Sequence, residues 1–316
     1  MIGHFFGSGL LNFSILGVEL FFVLSGRLMA DLLFVKQLRL PEFYYRRLTR
    51  VLPALAVFVV LFWIASEIVG APYRISPFWI ASALTFTINY SIVLIHPTGW
   101  LDHLWSVCVE EHSYMLLGLL AFAFGRSSGR PLAAMWALGV AAMIDGFVSS
   151  HVPHIHNEQT YWRSDVRLAS IFVSGAVYLT LRRNFDPVLI RRWATPVFVG
   201  ALIVGMALDI WASPLAIYTA GTLCFSIAVA LCDVVARPIT GLLSSRVLTQ
   251  VGVWSFSLYL WQQPFYKTYE VIHHEWRAPM FVAAISAGLA SFYLVERPAR
   301  RWLNGLWGKK ARVQAA

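Results

Sequence analysis

Long apolar segments, separated by short polar loops, run through nearly the whole chain. Segments of about membrane-spanning length cover residues 15–35, 51–71, 105–124, 131–148, 167–181, 194–211, 215–235, 249–269 and 278–295. An α-helix needs roughly 20 apolar residues to cross a bilayer, whereas a barrel strand needs only about 10. The pattern therefore predicts an all-α fold, a polytopic transmembrane helical bundle with about nine full spans.

Two further apolar stretches do not fit a full crossing. Residues 1–12 are too short to span a bilayer and resemble the end of a helix, so we interpret them as an N-terminal helix remnant. Residues 77–95 carry the polar side chains Thr85, Thr87 and Asn89 within their apolar sequence. We predict that this second stretch lies in the interface or dips into the membrane without crossing.

The basic residues orient the predicted bundle. If residues 77–95 do not cross, most of the 25 Lys and Arg residues share one side, within 36–50, 126–130, 182–192, 237–246 and the tail 297–312. Cytoplasmic loops of membrane proteins are enriched in Lys and Arg. We therefore expect a cytoplasmic C-terminus and an external loop at residues 149–166.

Composition agrees with an integral membrane protein. Hydrophobic residues make up 58% of the 316 residues and charged residues 13%, whereas soluble domains carry about 25% charged residues. The net charge of +9 is accounted for by the cytoplasmic membrane edges, so we expect the lipid bilayer as a partner and no nucleic acid. No linker separates a second domain, and residues 1–316 are predicted to form a single membrane domain.

A group of ionisable side chains lies at and just before the start of the apolar stretch 105–124. His103, Glu110 and Glu111 lie there, and on a helix His103, Val107, Glu110 and Tyr114 would share one face. Ionisable groups at membrane depth cost about 2.5 kcal/mol or more unless they are paired or hydrated, so they are candidates for function. The alternative is that the two glutamates only neutralise an arginine of another helix.

Charged residues also occur at helical spacing nearer the N-terminus. Glu19 and Arg27 lie two turns apart in one span, where they can neutralise one another. Arg47 and Arg50 lie on one face of a short interfacial helix that we predict before the span 51–71. They fit either a membrane anchor or a site for the phosphates of a nucleotide-like ligand.

The segment 249–269 carries a polar stripe. Tyr259 and Gln262 belong to it together with Ser255 and Tyr266, and we expect it to face the bundle interior or a wet cavity. Pro264 is expected to end or kink that helix. The sequence contains no convincing metal-ligand spacing, so no metal site is expected.

Five motifs follow one another along the chain. They are LGVELFFVLSG (16–26), RRLTRVLPAL (46–55), HLWSVCVEEHSY (103–114), SFSLYLWQQP (255–264) and VERPARR (295–301). Each alone is moderately specific, but in this order they resemble the membrane-bound acyltransferase family 3, whose members O-acylate sugars of cell-surface polysaccharides. The resemblance covers nearly the whole chain.

The resemblance implies an enzyme that moves an acyl group, usually acetyl, from cytoplasmic acyl-CoA to a hydroxyl of an external or lipid-linked glycan. It implies His4 as the general base, with Glu110 orienting that imidazole or fixing the acceptor. Arg47 and Arg50 would hold the CoA phosphates, and acyl-CoA is a co-substrate with no other cofactor expected. The remaining site-lining residues are expected to be Glu19, His103, Glu111, Tyr259 and Gln262.

The chain departs from the family pattern at its start. The family's signature arginine precedes the histidine by eleven positions, which lies ahead of Met1 here, so a misassigned start, a truncated gene and an inactive relative all stay open. A transporter or flippase of a lipid-linked sugar is the alternative from another class, because interior glutamates and arginines suit it equally well.

Overall fold

The computed structural model is helical throughout its regular secondary structure, as the sequence predicts. It describes residue 5 and residues 13–71, 74–95, 99–126, 129–152, 157–211, 216–272 and 274–313. The α-helices of these ranges are α1 (Phe13–Ala30), α2 (Leu40–Val69), α3 (Pro77–Leu84), α4 (Ile88–Leu94), α5 (Trp105–Phe124), α6 (Arg130–Ser149), α7 (Asn157–Trp162), α8 (Ser164–Asn184), α9 (Pro187–Trp211), α10 (Gly221–Leu231), α11 (Arg237–Leu243), α12 (Arg246–Ile272), α13 (Arg277–Ser291) and α14 (Arg297–Val313).

Short segments of other helix types extend several of these helices. The π-helical segments Asp31–Val35, Ala216–Ala220 and Phe292–Glu296 follow α1, precede α10 and join α13 to α14, respectively. The 3-10 turn Asp102–Leu104 leads into α5. The predicted helix remnant at residues 1–12 lies outside the described residues except for Phe5, which is buried.

Six helical segments in the described ranges are long and apolar enough to cross a membrane. They are Leu40–Val69, Asp102–Phe124, Arg130–Ser149, Ser164–Asn184, Pro187–Ile210 and Arg277–Trp307. Tyr218–Leu231 is apolar but shorter than these six. The predicted count of nine spans is therefore not confirmed, while an all-helical, membrane-spanning architecture is.

The apolar stretch predicted not to cross consists of two short helices. α3 and α4 contain 8 and 7 residues, so each rises only about 10–12 Å, against a hydrocarbon thickness of about 30 Å. The turn between them includes Phe86 at a φ of 58°, a left-handed conformation that breaks the helix. Neither helix alone reaches across a bilayer, which agrees with the prediction.

Two helices are longer than the proline positions predict. The short interfacial helix expected before residue 51 is instead the first part of α2, which runs unbroken through Pro53. α12 likewise continues past Pro264 to Ile272. The prediction of a separate interfacial helix was wrong, and α12 does not end at Pro264, while the kink there stays a prediction. Membrane helices tolerate proline when neighbouring groups satisfy the freed carbonyl.

The chain packs as two compact units. The first unit contains residues 41–104 and 250–316, and the second contains residues 2–40 and 105–249. The prediction of a single membrane domain over residues 1–316 was based on the sequence, in which no linker separates a second domain, and it stays a prediction.

Small residues let α8 form the centre of the second unit. A Cβ atom on Gly26 of α1 would lie 2.0 Å from the carbonyl oxygen of Ile171, and one on Gly139 of α6 would lie 2.8 Å from Val173. The hydroxyl of Ser174 donates a hydrogen bond of 2.6 Å to the carbonyl of Val23. Close backbone approach at small residues, reinforced by interhelical hydrogen bonds, is the usual way in which membrane helices associate.

In the first unit, α14 packs along the N-terminal part of α2. Tyr45 of α2 donates a hydrogen bond of 2.6 Å to the carbonyl of Leu303, and its ring stacks on Trp307 with the centroids 4.5 Å apart. Thr49, one turn further on, lies 3.3 Å from the amide oxygen of Asn304. α14 therefore lies against the segment of α2 that carries Arg47 and Arg50.

Candidate active site

The structure places the predicted site residues in both units. Glu19, Glu110 and Glu111 are buried in the second unit. Arg47, Arg50, His103, Tyr259 and Gln262 belong to the first. His4, the predicted general base, lies outside the described residues.

Glu110 is a buried carboxylate held by two hydroxyl groups. Ser25 of α1 donates a hydrogen bond of 2.6 Å to its Oε1 atom, and Tyr114 donates to the same oxygen from one turn further along α5. The side chain is 3% exposed. Glu110 and Tyr114 share a face, as their spacing predicts, and the carboxylate is fixed in an orientation from which it can accept a proton or orient an imidazole.

Glu19 is the acceptor in a buried polar cluster that joins three helices. Arg167 of α8 forms an ion pair with its Oε2 atom, to which Ser170 also donates at 3.0 Å. Thr222 of α10 donates at 2.7 Å to Oε1. Both carboxylate oxygens are thus engaged, which offsets the cost of burying the charge.

Arg167 itself is held between aromatic rings. Its guanidinium lies 5.5 Å from the ring centroid of Phe22 and 4.6 Å from that of Tyr161, and Trp105 packs edge-on against both rings. Burial raises the pKa of the Tyr161 hydroxyl, although the nearby Arg167 opposes the shift. This tyrosine therefore stays protonated, and its uncharged ring packs against the guanidinium of Arg167.

Sequence reasoning did not single out Arg167, the first residue of the predicted span 167–181, and missed its role. The available signal was a polar stripe, since Arg167, Ser170 and Ser174 are spaced three and four along α8. All three are buried.

Glu19 and Arg27 do not neutralise one another, contrary to the expectation from their spacing. Arg27 instead forms an ion pair with Asp233. Two residues eight apart on a helix are separated by about 12 Å along its axis, which is too far for a direct pair, so Glu19 pairs with Arg167 of α8 and Arg27 with Asp233 in the turn after α10.

A small cavity adjoins the Glu19 cluster. Glu19, Asp209 and Thr222 contribute polar atoms to it, while Ile15 and Phe225 contribute apolar walls. Its free space of about 20 Å³ is enough for one water molecule.

His103 is fixed within the first unit. It lies in the 3-10 turn before α5, so the helical face predicted to carry it together with Glu110 does not extend to it. Its Nε2 atom lies 3.1 Å from the carbonyl oxygen of Leu260, a contact that requires the proton on Nε2. Its ring packs against Phe58 and Tyr259, with centroids 5.7 Å and 5.3 Å away.

Tyr259 and Gln263 tie α12 to the segment that carries His103. The Tyr259 hydroxyl donates to the backbone carbonyl of His103, and Gln263 donates through Nε2 at 3.1 Å to the carbonyl of Gly99. Gln262 is 5% exposed. Of the predicted polar stripe, Tyr259 thus has a structural role in holding the backbone at His103.

Arg47 and Arg50 differ in their exposure on α2. Arg47 is 8% exposed, whereas Arg50 is partly exposed and lies close enough to Glu296 to interact with its charge. Among the residues that the structure describes, no group of three His, Cys, Asp or Glu side chains is arranged to hold a metal ion.

Comparison with known proteins assigns this arrangement to a family. The model of the acyltransferase domain known as acyltransferase family 3 matches residues 1–297. The chain is 25% identical over 330 aligned positions to the peptidoglycan O-acetyltransferase OatA of Listeria monocytogenes, covering 92% of this chain and 53% of that protein. It is also 25% identical to the O-acetyltransferase OatA of Staphylococcus aureus strain NCTC 8325, covering 90% and 52%.

The chain thus spans about half the length of these curated relatives. No solved structure matches it.

Proposed function

The chain belongs to acyltransferase family 3, and from that membership we propose that it moves an acetyl group from cytoplasmic acyl-CoA to a sugar hydroxyl of a cell-surface or lipid-linked glycan. The family match over residues 1–297 carries the proposal. The names of the relatives, one of them a peptidoglycan O-acetyltransferase, favour acetyl as the acyl group. They also favour a glycan of the cell envelope as the acceptor.

The chemistry requires removal of a proton from a weak nucleophile. In the net reaction an ester C–O bond forms at the sugar, the thioester C–S bond breaks, and the hydroxyl proton ends on the CoA sulfur. A neutral imidazole with a pKa near 7 is well suited to take that proton as the oxygen attacks. We assign this role to His4, on the strength of the family resemblance.

Glu110 is proposed to orient the imidazole or to fix the acceptor hydroxyl. Its support is geometric, since Ser25 and Tyr114 both donate to Oε1 of this buried carboxylate. A carboxylate held in one rotamer by two donors is pre-organised, and positioned groups of this kind contribute through orientation rather than through added binding energy. Glu111, buried beside it, is proposed as a further site-lining residue.

Arg47 and Arg50 are proposed to bind the phosphates of acyl-CoA at the cytoplasmic edge. Arginine suits this task because its planar guanidinium binds phosphate oxygens in a bidentate manner. The donor site then faces the cytoplasm, in a bacterial inner membrane whose cytoplasmic side also carries the C-terminus. The basic loops support this orientation.

O-acetyl esters measured in cells that express the chain test the function. We expect His4→Ala to lower the rate at which base-labile acetate forms on the cell-envelope glycan roughly 10²–10⁴-fold. Glu110→Gln should lower this rate as well. If the two residues act as one unit, the double variant should be little worse than the poorer single variant. Glu275→Gln, which removes an exposed carboxylate, is the matched control.

The rival transporter class gives a different outcome. A flippase moves its sugar without making an ester, so His4→Ala and Glu110→Gln would leave ester formation per molecule of protein unchanged. Unchanged ester in both variants, with protein levels equal to the control, would contradict the proposed function.

A further inference from the structure

The last candidate span is longer than a bilayer requires. It runs over 31 residues, Arg277–Trp307, and consists of α13, the π-helical segment Phe292–Glu296 and the first part of α14. About 20 helical residues are enough to cross the hydrocarbon core, and α13 with the π-helical segment supplies that length. α14, which begins at Arg297, therefore starts at the membrane edge.

Contacts with α2 hold α14 at the level of this edge. Tyr45 donates to the carbonyl of Leu303 and stacks on Trp307, and Thr49 lies near Asn304. Both α2 residues precede the segment 51–71 that the sequence predicts to cross the membrane. The middle of α14 thus lies beside the membrane surface.

The three residues Arg301, Trp302 and Leu303 point in three directions around α14. Consecutive residues of an α-helix are about 100° apart around its axis. Leu303 lies on the face that contacts α2. Trp302 is 67% exposed and Leu306, one turn further on, is 45% exposed. These two residues form an apolar stripe, and indole rings are enriched at membrane–water interfaces, where one end is apolar and the other is hydrated.

The third face of α14 carries exposed positive charge. Arg297 and Arg301 are one turn apart, and both are exposed. The guanidinium of Arg297 lies 5.9 Å from the ring centroid of Tyr293, an uncharged partner. From Arg297 to the end of the chain the sequence contains six basic residues and no acidic residue. The positive charge of this segment therefore follows from its sequence.

We propose that α14 binds the headgroups of anionic phospholipids, with Trp302 and Leu306 inserted at the membrane surface and Arg297 and Arg301 at headgroup level. Helices with tryptophan and leucine on one face and arginine on another bind membrane surfaces through apolar burial and electrostatic attraction together. Six positive charges without a negative one favour an anionic headgroup over a zwitterionic one. This lipid contact does not depend on the proposed acyl transfer.

Quenching of Trp302 fluorescence by spin-labelled lipid tests the proposal, on the purified full chain in nanodiscs of phosphatidylcholine. Nitroxide-labelled phosphatidylglycerol or phosphatidylcholine is included over a series of mole fractions. The part of the quenching that Trp302→Phe removes is assigned to Trp302. We expect phosphatidylglycerol to quench this part at a mole fraction roughly 10-fold lower or less, because each arginine near an anionic surface favours binding about five-fold.

Two pairs of substitutions separate α14 from the overall charge of the protein. Arg297→Gln combined with Arg301→Gln should remove most of the preference for phosphatidylglycerol and leave quenching by phosphatidylcholine unchanged. Arg182→Gln combined with Arg183→Gln removes two exposed arginines from the last turn of α8. This matched control should keep the preference.

Three results would overturn the proposal. Equal quenching of Trp302 by the two lipids in the unaltered protein would exclude a preference for anionic headgroups. Loss of the preference in both double variants would assign it to net charge instead of α14. Unchanged quenching on Trp302→Phe would show that Trp302 does not contact lipid.

Discussion

At the level of single residues, burial decides how much each ion pair contributes. The side chains of Arg167 and Glu19 are 2% and 6% exposed, whereas the side chain of Asp233, the partner of Arg27, is 66% exposed. Solvent screens the second pair, so it contributes about 1 kcal/mol or less. Breaking the first pair leaves a buried charge without its counter-ion, which costs about 3–5 kcal/mol.

Replacement of Arg167 should therefore destabilise the protein strongly. We expect Arg167→Met to lose about 3–5 kcal/mol of stability, measured as a lower melting temperature and a loss of monodisperse protein in detergent. Arg182→Gln, at an exposed position of the same helix, should change stability by no more than about 0.5 kcal/mol.

The double variant Glu19→Gln, Arg167→Met distinguishes a charge effect from a packing effect. Because it removes both charges, it should be more stable than Arg167→Met alone. If Arg167→Met has the same melting temperature as the Arg182→Gln control, the hydroxyl groups of Ser170 and Thr222 suffice to hold Glu19, and the ion pair contributes little to stability.

These residues also show which contacts the sequence predicts. The hydrogen bond from Tyr114 to Glu110 joins positions four apart, so helical spacing alone predicts that the two side chains share a face. Arg167 pairs with a residue 148 positions away, and no local pattern specifies which helices pack together. The same limit explains why Glu19 and Arg27 were expected to neutralise one another.

At the level of helices, the close packing of α1 against α8 depends on the missing side chain of Gly26. A Cβ atom at Gly26 would lie 2.0 Å from the Ile171 carbonyl oxygen, while one at Gly17 of the same helix would meet nothing within 4 Å. Backbone atoms cannot rotate away as a side chain can, so the helices themselves would have to separate.

Gly26→Ala should consequently disrupt the second unit. We expect a fall in melting temperature in detergent, larger than that of an average point mutant at about 1 kcal/mol, because the new methyl group meets backbone. Gly17→Ala is the matched control and should be neutral or slightly stabilising, since alanine favours the helix over glycine by about 1 kcal/mol. Equal behaviour of the two variants would show that α1 and α8 do not approach as closely as described.

Helix existence was predictable from the sequence, while helix ends at prolines were not. Six of the nine predicted spans coincide with described helices that are long and apolar enough to cross a membrane. A helix start was expected near residue 51 and a helix end or kink at Pro264, yet α2 and α12 continue through Pro53 and Pro264. The energy of a proline in a helix depends on what satisfies the freed carbonyl, which the tertiary structure decides.

At the level of the whole molecule, orientation in the membrane is the property that the basic residues predict. Asn184, the last residue of α8, and Val152 are exposed, and they lie on the sides predicted to be cytoplasmic and external, respectively. We expect an impermeant thiol reagent on intact cells to label Val152→Cys and to spare Asn184→Cys.

The three native cysteines, Cys108, Cys224 and Cys232, are the background of this labelling experiment. Cys108 is buried and therefore shielded from the reagent. The unaltered protein is the control for labelling of these thiols. Labelling of Asn184→Cys without labelling of Val152→Cys would show that the orientation in the membrane is the opposite of the predicted one.

The proposed transfer of acetyl from acyl-CoA to a glycan is tested most directly by measuring both of its products in one experiment. Purified protein in sealed vesicles would receive acetyl-CoA labelled in its acetyl group on the predicted cytoplasmic side, with a peptidoglycan fragment as acceptor on the other. We predict that free CoA thiol and labelled, base-labile glycan ester appear in equal amounts, and that Glu110→Gln lowers both by the same factor. Movement of the glycan across the bilayer without release of CoA thiol would contradict the claim.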